Sequence, residues 1–166
     1  MGMRALRNRR AVAAAALASL LACTDLARAA EVKIADIQAY LFLQQAGKLS
    51  ENIIGGLPLM DAPRGGAPGG DTATGLLIDF TFEGEKNASP KYATATVDLM
   101  QTNHAGQKIA THKAFANFMF GPDGVEHRAI YLDGATCMPL SIAVRSGRTS
   151  KSAQIDFECA MTQAPN

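Results

Sequence analysis

The sequence predicts an all-β fold, an antiparallel β-sandwich of about seven strands with immunoglobulin-like or related topology. A β-barrel is the alternative. Several short runs alternate apolar and polar residues, turn-forming residues separate these runs, and no run has the length and period of a stable helix. The immunoglobulin sequence signature is missing, since the chain has no tryptophan and its two late cysteines are close in sequence. These patterns therefore predict the architecture and not a family.

Residues 1–29 form a predicted secretory signal peptide, and residues 30–166 form one predicted domain. The first ten residues carry four arginines and no acid, an apolar run covers residues 11–22, and Ala27-Arg28-Ala29 offers the small-x-small pattern of a cleavage site. The apolar run is shorter than the roughly 20 residues that span a bilayer. We expect a soluble chain in the periplasm or outside the cell, with no transmembrane segment after cleavage.

Cys23 supports an alternative interpretation of the same region. The sequence Leu20-Leu21-Ala22-Cys23 resembles a bacterial lipobox, and the resemblance implies a lipid anchor on Cys23. Either processing route leaves Cys137 and Cys159 as a pair in an oxidising compartment, where disulfides persist.

The charge balance argues against nucleic-acid binding. Removal of residues 1–29 takes five of the 16 basic residues but one of the 15 acidic residues, which leaves 11 and 14 and a formal net charge of −3. No basic patch with interleaved aromatic residues remains, so binding to a phosphate backbone has no electrostatic support.

The first part of the domain predicts one long strand. Residues 31–44 are rich in β-branched and aromatic residues, and a bulge midway would change which face is buried. Residues 46–54 are too short for a stable helix, and Ser50 predicts a turn or a single helical turn.

Residues 55–75 predict an irregular loop, because they contain seven glycines and three prolines. A loop of this length is uncommon inside a domain and is usually functional or disordered. Neither a Walker pattern nor a dinucleotide fingerprint is present, so a phosphate site is disfavoured. The candidate partner-contacting residues are Gly65, Gly66, Pro68, Gly69, Gly70 and Asp71.

Four further strands are predicted before the last hairpin, over residues 76–83, 92–101, 108–120 and 126–132. Their predicted inward residues include Ile78, Phe80 and Phe82 in the first and Ala93, Ala95, Val97 and Leu99 in the second. The turn signal at residues 121–124 favours a hairpin of the last two strands, with His127 opposite Phe118.

The final hairpin is predicted from residues 140–145 and 153–159, around a turn at residues 146–150. Residue parity would separate Cys137 from Cys159 in an uninterrupted ladder. Because Pro139 cannot donate to a ladder, we expect a bulge or strand start at Met138-Pro139. That interruption would allow a Cys137–Cys159 disulfide, which would stabilise the domain by about 3 kcal/mol. Two unpaired thiols are the alternative.

Catalytic patterns are missing from the sequence. There is no Gly-x-Ser-x-Gly elbow and, after processing, no spare cysteine for nucleophilic chemistry. The acidic residues available to pair for acid–base chemistry alternate with apolar residues and are predicted on the solvent faces of strands; they are Asp79, Glu83, Asp98, Asp156 and Glu158. We therefore predict no catalytic residue and no cofactor.

Metal-binding patterns are weak as well. The three histidines, His104, His112 and His127, lack a metal-binding spacing and are predicted as exposed or edge residues. The alternatives are a copper or zinc site that combines one histidine with Met119 or Met138, and a weak calcium site. The calcium ligands would be Asp123, Glu126 and Asp133.

Two classes of function remain as expectations. The first is a non-enzymatic exported module that contacts an envelope or extracellular protein through the loop at residues 55–75 or through an exposed strand edge. The second is an exported protein that binds a small ligand or a metal ion in a pocket.

Overall fold

Strands and turns make up the described part of the chain, which in the computed structural model covers residues 31–56, 59–60, 70–102, 106–133 and 138–158. Ten strands and no α-helix lie within these residues. The strands are β1 (Lys33–Leu43), β2 (Lys48–Leu49), β3 (Leu59–Met60), β4 (Ala73–Glu83), β5 (Ala95–Thr102), β6 (Lys108–Phe115), β7 (Val125–Asp133), β8 (Leu140–Ser146), β9 (Thr149–Ile155) and β10 (Phe157–Glu158).

Two antiparallel four-stranded sheets form a sandwich. The first sheet has the order β2-β1-β4-β7, the second sheet has the order β6-β5-β8-β9, and β10 and β3 form a short parallel pair. In an immunoglobulin-like sandwich, β1, β4 and β7 correspond to strands A, B and E, and the second sheet corresponds to C′, C, F and G. The predicted sandwich is confirmed, and the sheets do not close into a barrel.

The core lies between the sheets and is built from every second residue of the central strands. The inward residues predicted for residues 76–83 are all buried, and those of β5 follow the same alternation. Phe82 lies with its ring centroid 5.0 Å from that of Phe118 and 6.3 Å from that of Phe115, both at steep angles. Such edge-to-face aromatic pairs add about 0.5–1.5 kcal/mol to the free energy of burial.

A bulge in the first strand is confirmed, but it lies near the beginning of β1 rather than midway along it. The pairing of β1 with β4 shifts between Ile34 and Asp36, so that Ile34 contacts the core but the buried residues beyond the bulge have odd numbers, beginning at Ile37. Because Ala35 is an extra residue in β1, the inward-facing positions change from even to odd residue numbers beyond it. Tyr40 and Phe42 consequently lie on the outer face of the first sheet.

The predicted hairpin between residues 108–120 and 126–132 is wrong. β6 ends at Phe115 and pairs with β5, whereas β7 pairs with β4 in the other sheet. Asn117 has a φ of 56°, a left-handed conformation that interrupts a strand. The chain then crosses between the sheets, and Phe118 and Phe120 become buried. His127 consequently lies opposite Thr81 rather than Phe118.

The final hairpin is formed by β8 and β9, with Gly147 and Arg148 as its turn. β8 begins at Leu140, directly after Pro139, as the prediction of a strand start requires. The ladder ends at Ile155, and the next strand leaves to pair with β3. Cys137 and Cys159 lie outside the described residues, so the disulfide stays a prediction.

Other predictions also fall outside the described residues, namely the signal peptide at residues 1–29 with Cys23, His104, and the loop positions Gly65, Gly66, Pro68 and Gly69. Within the described ranges, no helix has the length and apolar character that a bilayer crossing requires.

Candidate functional site

One flank of the sandwich is closed by a side chain that links the two sheets. Lys151 on β9 donates hydrogen bonds from Nζ to the carbonyl oxygen of Ala35, at 2.6 Å, and to Oδ1 of Asp36, at 2.9 Å. The pKa of the Asp36 carboxyl is lowered, mainly because Lys151 donates a hydrogen bond to it. Burial of the carboxyl acts in the opposite direction and raises its pKa. A side-chain contact therefore joins β1 and β9 at this flank.

The outer edge of β1 is covered within the chain. Ser50 Oγ accepts a hydrogen bond from the amide of Leu41, and Asn52 Oδ1 accepts one from the amide of Ala39, both at 3.0 Å. Backbone bonds from Ser50 and Ile53 to the carbonyls of Leu41 and Ala39 complete the contact. Residues 46–54 thus form a turn and the short strand β2, and the predicted alternative of a single helical turn is not formed. Their hydrogen bonds pair the backbone groups of Ala39 and Leu41 on the edge of β1.

The opposite flank, between β6 and β7, is more open. In β6 every residue before Phe115 is exposed, including the inward-facing Ile109, which retains 48% of its accessible surface. Lys108 and Lys113 place two cations on this strand. Charged residues on an edge strand disfavour pairing with another chain, because their burial is costly. β6 is thus a protected edge.

The edge of β7 carries charged residues toward its two ends, at Glu126, Arg128 and Asp133, and has an uncharged stretch between them. β7 pairs with β4 on one side and has no strand on the other side among the described residues. The stretch Ala129–Leu132 contains no charge, glycine or proline, and its inward residues Ile130 and Leu132 are half-buried. In constant-type immunoglobulin domains this side of strand E carries strand D. We call Ala129–Leu132 the free β7 edge and treat it as the candidate site.

One end of this flank is filled by the connection from β6 to β7. Arg128 Nη2 donates to the carbonyl oxygens of Ala116 and Asn117 at 3.3 and 3.0 Å, pairs with Glu126 Oε1 at 2.6 Å, and lies over the ring of Phe118. These contacts hold residues 116–118 against the first half of β7. The free β7 edge begins where they end.

The outer face next to the free β7 edge is partly apolar. A Cβ on Gly75 would lie 2.1 Å from the hydroxyl oxygen and 2.3 Å from Cζ of Tyr131, so the Tyr131 ring covers Gly75. Tyr131 nevertheless stays 51% exposed. The register places Tyr40, Leu77 and Tyr131 in one row across three strands. Because Gly75 lies on β4, the ring leans toward its own sheet and leaves the edge accessible.

The described histidines lie on opposite sheets. His127 Nδ1 is 2.8 Å from Asp79 Oδ2 on the first sheet, and His112 Nδ1 is 2.7 Å from Asp98 Oδ1 on the second. Both imidazoles are exposed, as predicted. No group of three or more histidine, cysteine, aspartate or glutamate residues with metal-binding geometry occurs within the described ranges.

The three acidic residues proposed as calcium ligands do not come together. Asp123 Oδ1 accepts a hydrogen bond from the amide of Val125 in the turn, and Glu126 binds Arg128 and the amide of Met119. Asp133 lies at the other end of β7, opposite Gly75. With a rise of about 3.4 Å per strand residue, the two ends of β7 are too far apart for one ion.

Asp71 has a role inside the chain. Its side chain is buried and accepts hydrogen bonds from the amides of Gln45 and Ala46 at 3.0 Å and of Thr72 at 2.7 Å. Burial alone would raise the pKa of Asp71, but the three amide donors together lower it. Of the predicted partner-contacting residues, Gly70 and Asp71 are the described ones, and Asp71 anchors the end of the loop to the turn after β1.

The free β7 edge was not identified as a site from the sequence. The sequence predicts a strand over residues 126–132, but the position of that strand in the sheet depends on which strand it pairs with. The run of uncharged residues from Ala129 to Leu132 is a local signal that could have drawn attention to it.

The described strands form a β-sandwich of immunoglobulin-like connectivity, in which β7, the counterpart of strand E, pairs with β4 and has no second strand neighbour among the described residues. No protein-family model matches the chain, and no curated protein matches it in sequence.

Proposed function

We propose that the protein is an exported, non-enzymatic interaction module that binds an envelope or extracellular protein at the free β7 edge. The side of β7 at Ala129–Leu132 that has no strand neighbour among the described residues carries the proposal. Strand addition to an exposed sheet edge is a common mode of protein recognition, in which backbone hydrogen bonds supply affinity and alternate side chains supply specificity.

The surroundings of β7 support strand addition. An added strand would continue the first sheet and cover Ile130 and Leu132, which the chain leaves half-buried. Burial of apolar surface stabilises a contact by about 25 cal/mol per Å². The other flank is already occupied by the Lys151 contact. On the open flank, β7 has an uncharged stretch with two half-buried apolar residues, whereas every residue of β6 before Phe115 is exposed, so β7 is the edge best suited to a partner.

Export and a Cys137–Cys159 disulfide belong to the same proposal. They are supported by the signal-like pattern of residues 1–29 and by the cysteine pair that remains after it. The location is the periplasm or the extracellular space, with lipid anchoring at Cys23 as the alternative.

Intact mass tests the export part. The protein is purified from the envelope fraction of its source cell and measured with and without reductant and alkylation. We expect a chain that begins at Ala30 and whose two thiols are protected until reduction. A chain that begins at Cys23 and carries acyl groups would show that the protein is lipid-anchored rather than soluble. An uncleaved chain would contradict export, and two free thiols would contradict the disulfide.

Site-specific photo-crosslinking tests the interaction. A photoreactive residue replaces Ala129 on β7 or, as the matched control, the exposed Ala110 on β6, and the variants are irradiated in the intact cell. We expect protein adducts from position 129 and few from position 110. Equal labelling from both positions, or no adduct from position 129, would contradict binding at the free β7 edge.

A further inference from the structure

We propose that the partner binds the free β7 edge through an extended segment whose inward side chains include an apolar residue and a carboxylate, which contact Ile109 and Lys113 on β6. The inference rests on the proposed function, because both use the same edge, and it adds the chemistry of the bound segment. That segment would become a further strand of the first sheet, beside β7.

The inner face of β6 is the main evidence. Directly opposed residues of antiparallel strands share one face of the sheet. The register places Thr111 and Lys113 opposite Leu99 and Val97, which are 3% and 0% exposed. With Ile109, which has the same parity, they therefore face the side on which the first sheet packs. All three are nevertheless exposed, so this part of the inner face of β6 is uncovered.

The first sheet ends too early to cover this face. Arg128 of β7 binds the backbone of residues 116–117, which directly follow β6, so β6 and β7 lie at the same flank of the sandwich. No described strand lies beyond β7 in the first sheet. A strand added at the free β7 edge would extend that sheet over the inner face of β6. One missing strand thus accounts for both the free edge and the exposure of Ile109.

The free β7 edge favours a polypeptide over other classes of ligand. In an antiparallel ladder, alternate residues direct their N–H and C=O groups to the same neighbour. Every second residue of Ala129–Leu132 therefore presents both groups on the side without a strand neighbour. An extended backbone matches such a row of donors and acceptors. Because side chains alternate along a strand, the same segment directs every second side chain toward the inner face of β6.

The charge of the bound segment follows from Lys113. Ion pairs in the described part of the chain join other residues, and the inward-facing Glu126 and Arg128 of β7 pair with each other. Lys113 is therefore left as an uncompensated cation on the inner side of this flank. A carboxylate on the segment would complement Lys113, whereas a basic residue at that position would place like charges together.

The apolar part of the segment follows from the other end of the same surface. Ile109 is an inward-facing aliphatic residue that is 48% exposed, and Ile130 and Leu132 of β7 are half-buried. An apolar side chain of the segment would remove water from these residues, which is favourable. The segment therefore combines an apolar side chain near Ile109 with a carboxylate near Lys113.

Photo-crosslinking in the intact cell identifies the segment. A photoreactive residue replaces Ala129 on β7, Ile109 on the inner face of β6 or, as the control, Ala110 on its outer face. The adducts are digested, and the labelled peptides are sequenced by mass spectrometry. We expect positions 129 and 109 to label the same segment of one envelope or extracellular protein, and position 110 to label it weakly. The segment should contain aspartate or glutamate among alternating apolar residues.

Charge reversal tests Lys113 directly. In the chain with the photoreactive residue at position 129, Lys113→Glu should reduce the adduct yield by about fivefold or more, because attraction becomes repulsion. Lys108→Glu is the matched control, since Lys108 lies on the same strand with the opposite parity. It should change the yield by less than about twofold. Circular dichroism confirms that both variants are folded.

A compensating charge on the segment completes the test. A synthetic peptide of the labelled segment, with its carboxylate replaced by lysine, should bind the Lys113→Glu chain more tightly than the parent chain in fluorescence anisotropy. Equal affinity for the two chains would overturn the contact with Lys113.

The outcomes separate this inference from the proposed function. Adducts from position 129 that are unchanged in Lys113→Glu, that fall equally in Lys108→Glu, or that come from a segment without a carboxylate would overturn the inference and leave the proposed function standing. The same holds if position 109 forms no adduct. Labelling of the chain's own sequence, in the same or a second copy, would overturn the inference. Absence of adducts from position 129 would overturn the proposed function as well.

Discussion

Lys151 on β9 reaches across the sandwich to Asp36 on β1, with its Nζ 2.9 Å from Oδ1 of the carboxylate. The same Nζ binds the backbone of Ala35, the extra residue of the β1 bulge. One contact therefore holds the bulge and closes one flank, while at the flank between β6 and β7 the contacts of Arg128 with residues 116–118 fill only one end. This asymmetry makes β7 the candidate edge.

Replacement of Lys151 by methionine should weaken the closed flank. The change removes the ion pair with Asp36 and the hydrogen bond to Ala35. Because the side chains of Lys151 and Asp36 are 39% and 46% exposed, solvent screens the ion pair. We expect the free energy of unfolding to fall by about 1 kcal/mol, measured by urea denaturation. Lys113→Met on β6 is the matched control and should change it by less than about 0.5 kcal/mol. Equal losses in both variants would contradict a specific flank contact.

Replacement of Gly75 by alanine should displace Tyr131. The new Cβ would overlap the Tyr131 ring, which can swing away only by giving up its position over the sheet. We expect a loss of about 1 kcal/mol in the free energy of unfolding. In a Tyr131→Ala background the same change should cost little, because the ring is gone.

The double-mutant cycle of Gly75→Ala and Tyr131→Ala is measured by urea denaturation. Contacting residues show coupling of about 0.5–3 kcal/mol, whereas independent sites add. Additive losses would contradict the contact between the ring and Gly75.

Replacement of Asp71 by asparagine should reduce the dependence of stability on pH. The folded-state pKa of Asp71 is lowered, so the unfolded chain binds the proton more tightly than the folded chain. The stabilisation by Asp71 is therefore fully present above its unfolded pKa of about 3.9 and is lost as the pH falls through the lower folded pKa.

Thermal unfolding of the parent chain, Asp71→Asn and the control Glu51→Gln, between neutral pH and the acid range, checks this expectation. Asp71→Asn should be less stable than the parent at neutral pH, and the gap should narrow as the pH falls. Glu51 is exposed, so its variant should follow the parent. A gap that stays constant with pH would contradict a role for the Asp71 carboxylate.

Local residue patterns were enough to predict much of the secondary structure. The alternation in residues 76–83 correctly identified Ile78, Phe80 and Phe82 as buried, and the pattern of residues 31–44 indicated the bulge that the structure places at Ala35. Pro139 correctly marked the start of β8. These features depend on the two-residue period of a strand and on the missing amide of proline, which are properties of the residues themselves.

The pairing of the strands could not be predicted from these local patterns. Residues 108–120 and 126–132, with a strong turn between them, had the local pattern of a hairpin. Burial of Phe118 and Phe120 instead requires the chain to end β6 at Phe115 and cross to the other sheet. Strand pairing is a contact between distant segments, so local periodicity cannot specify it. The free β7 edge exists for this reason, because a β6–β7 hairpin would have covered it.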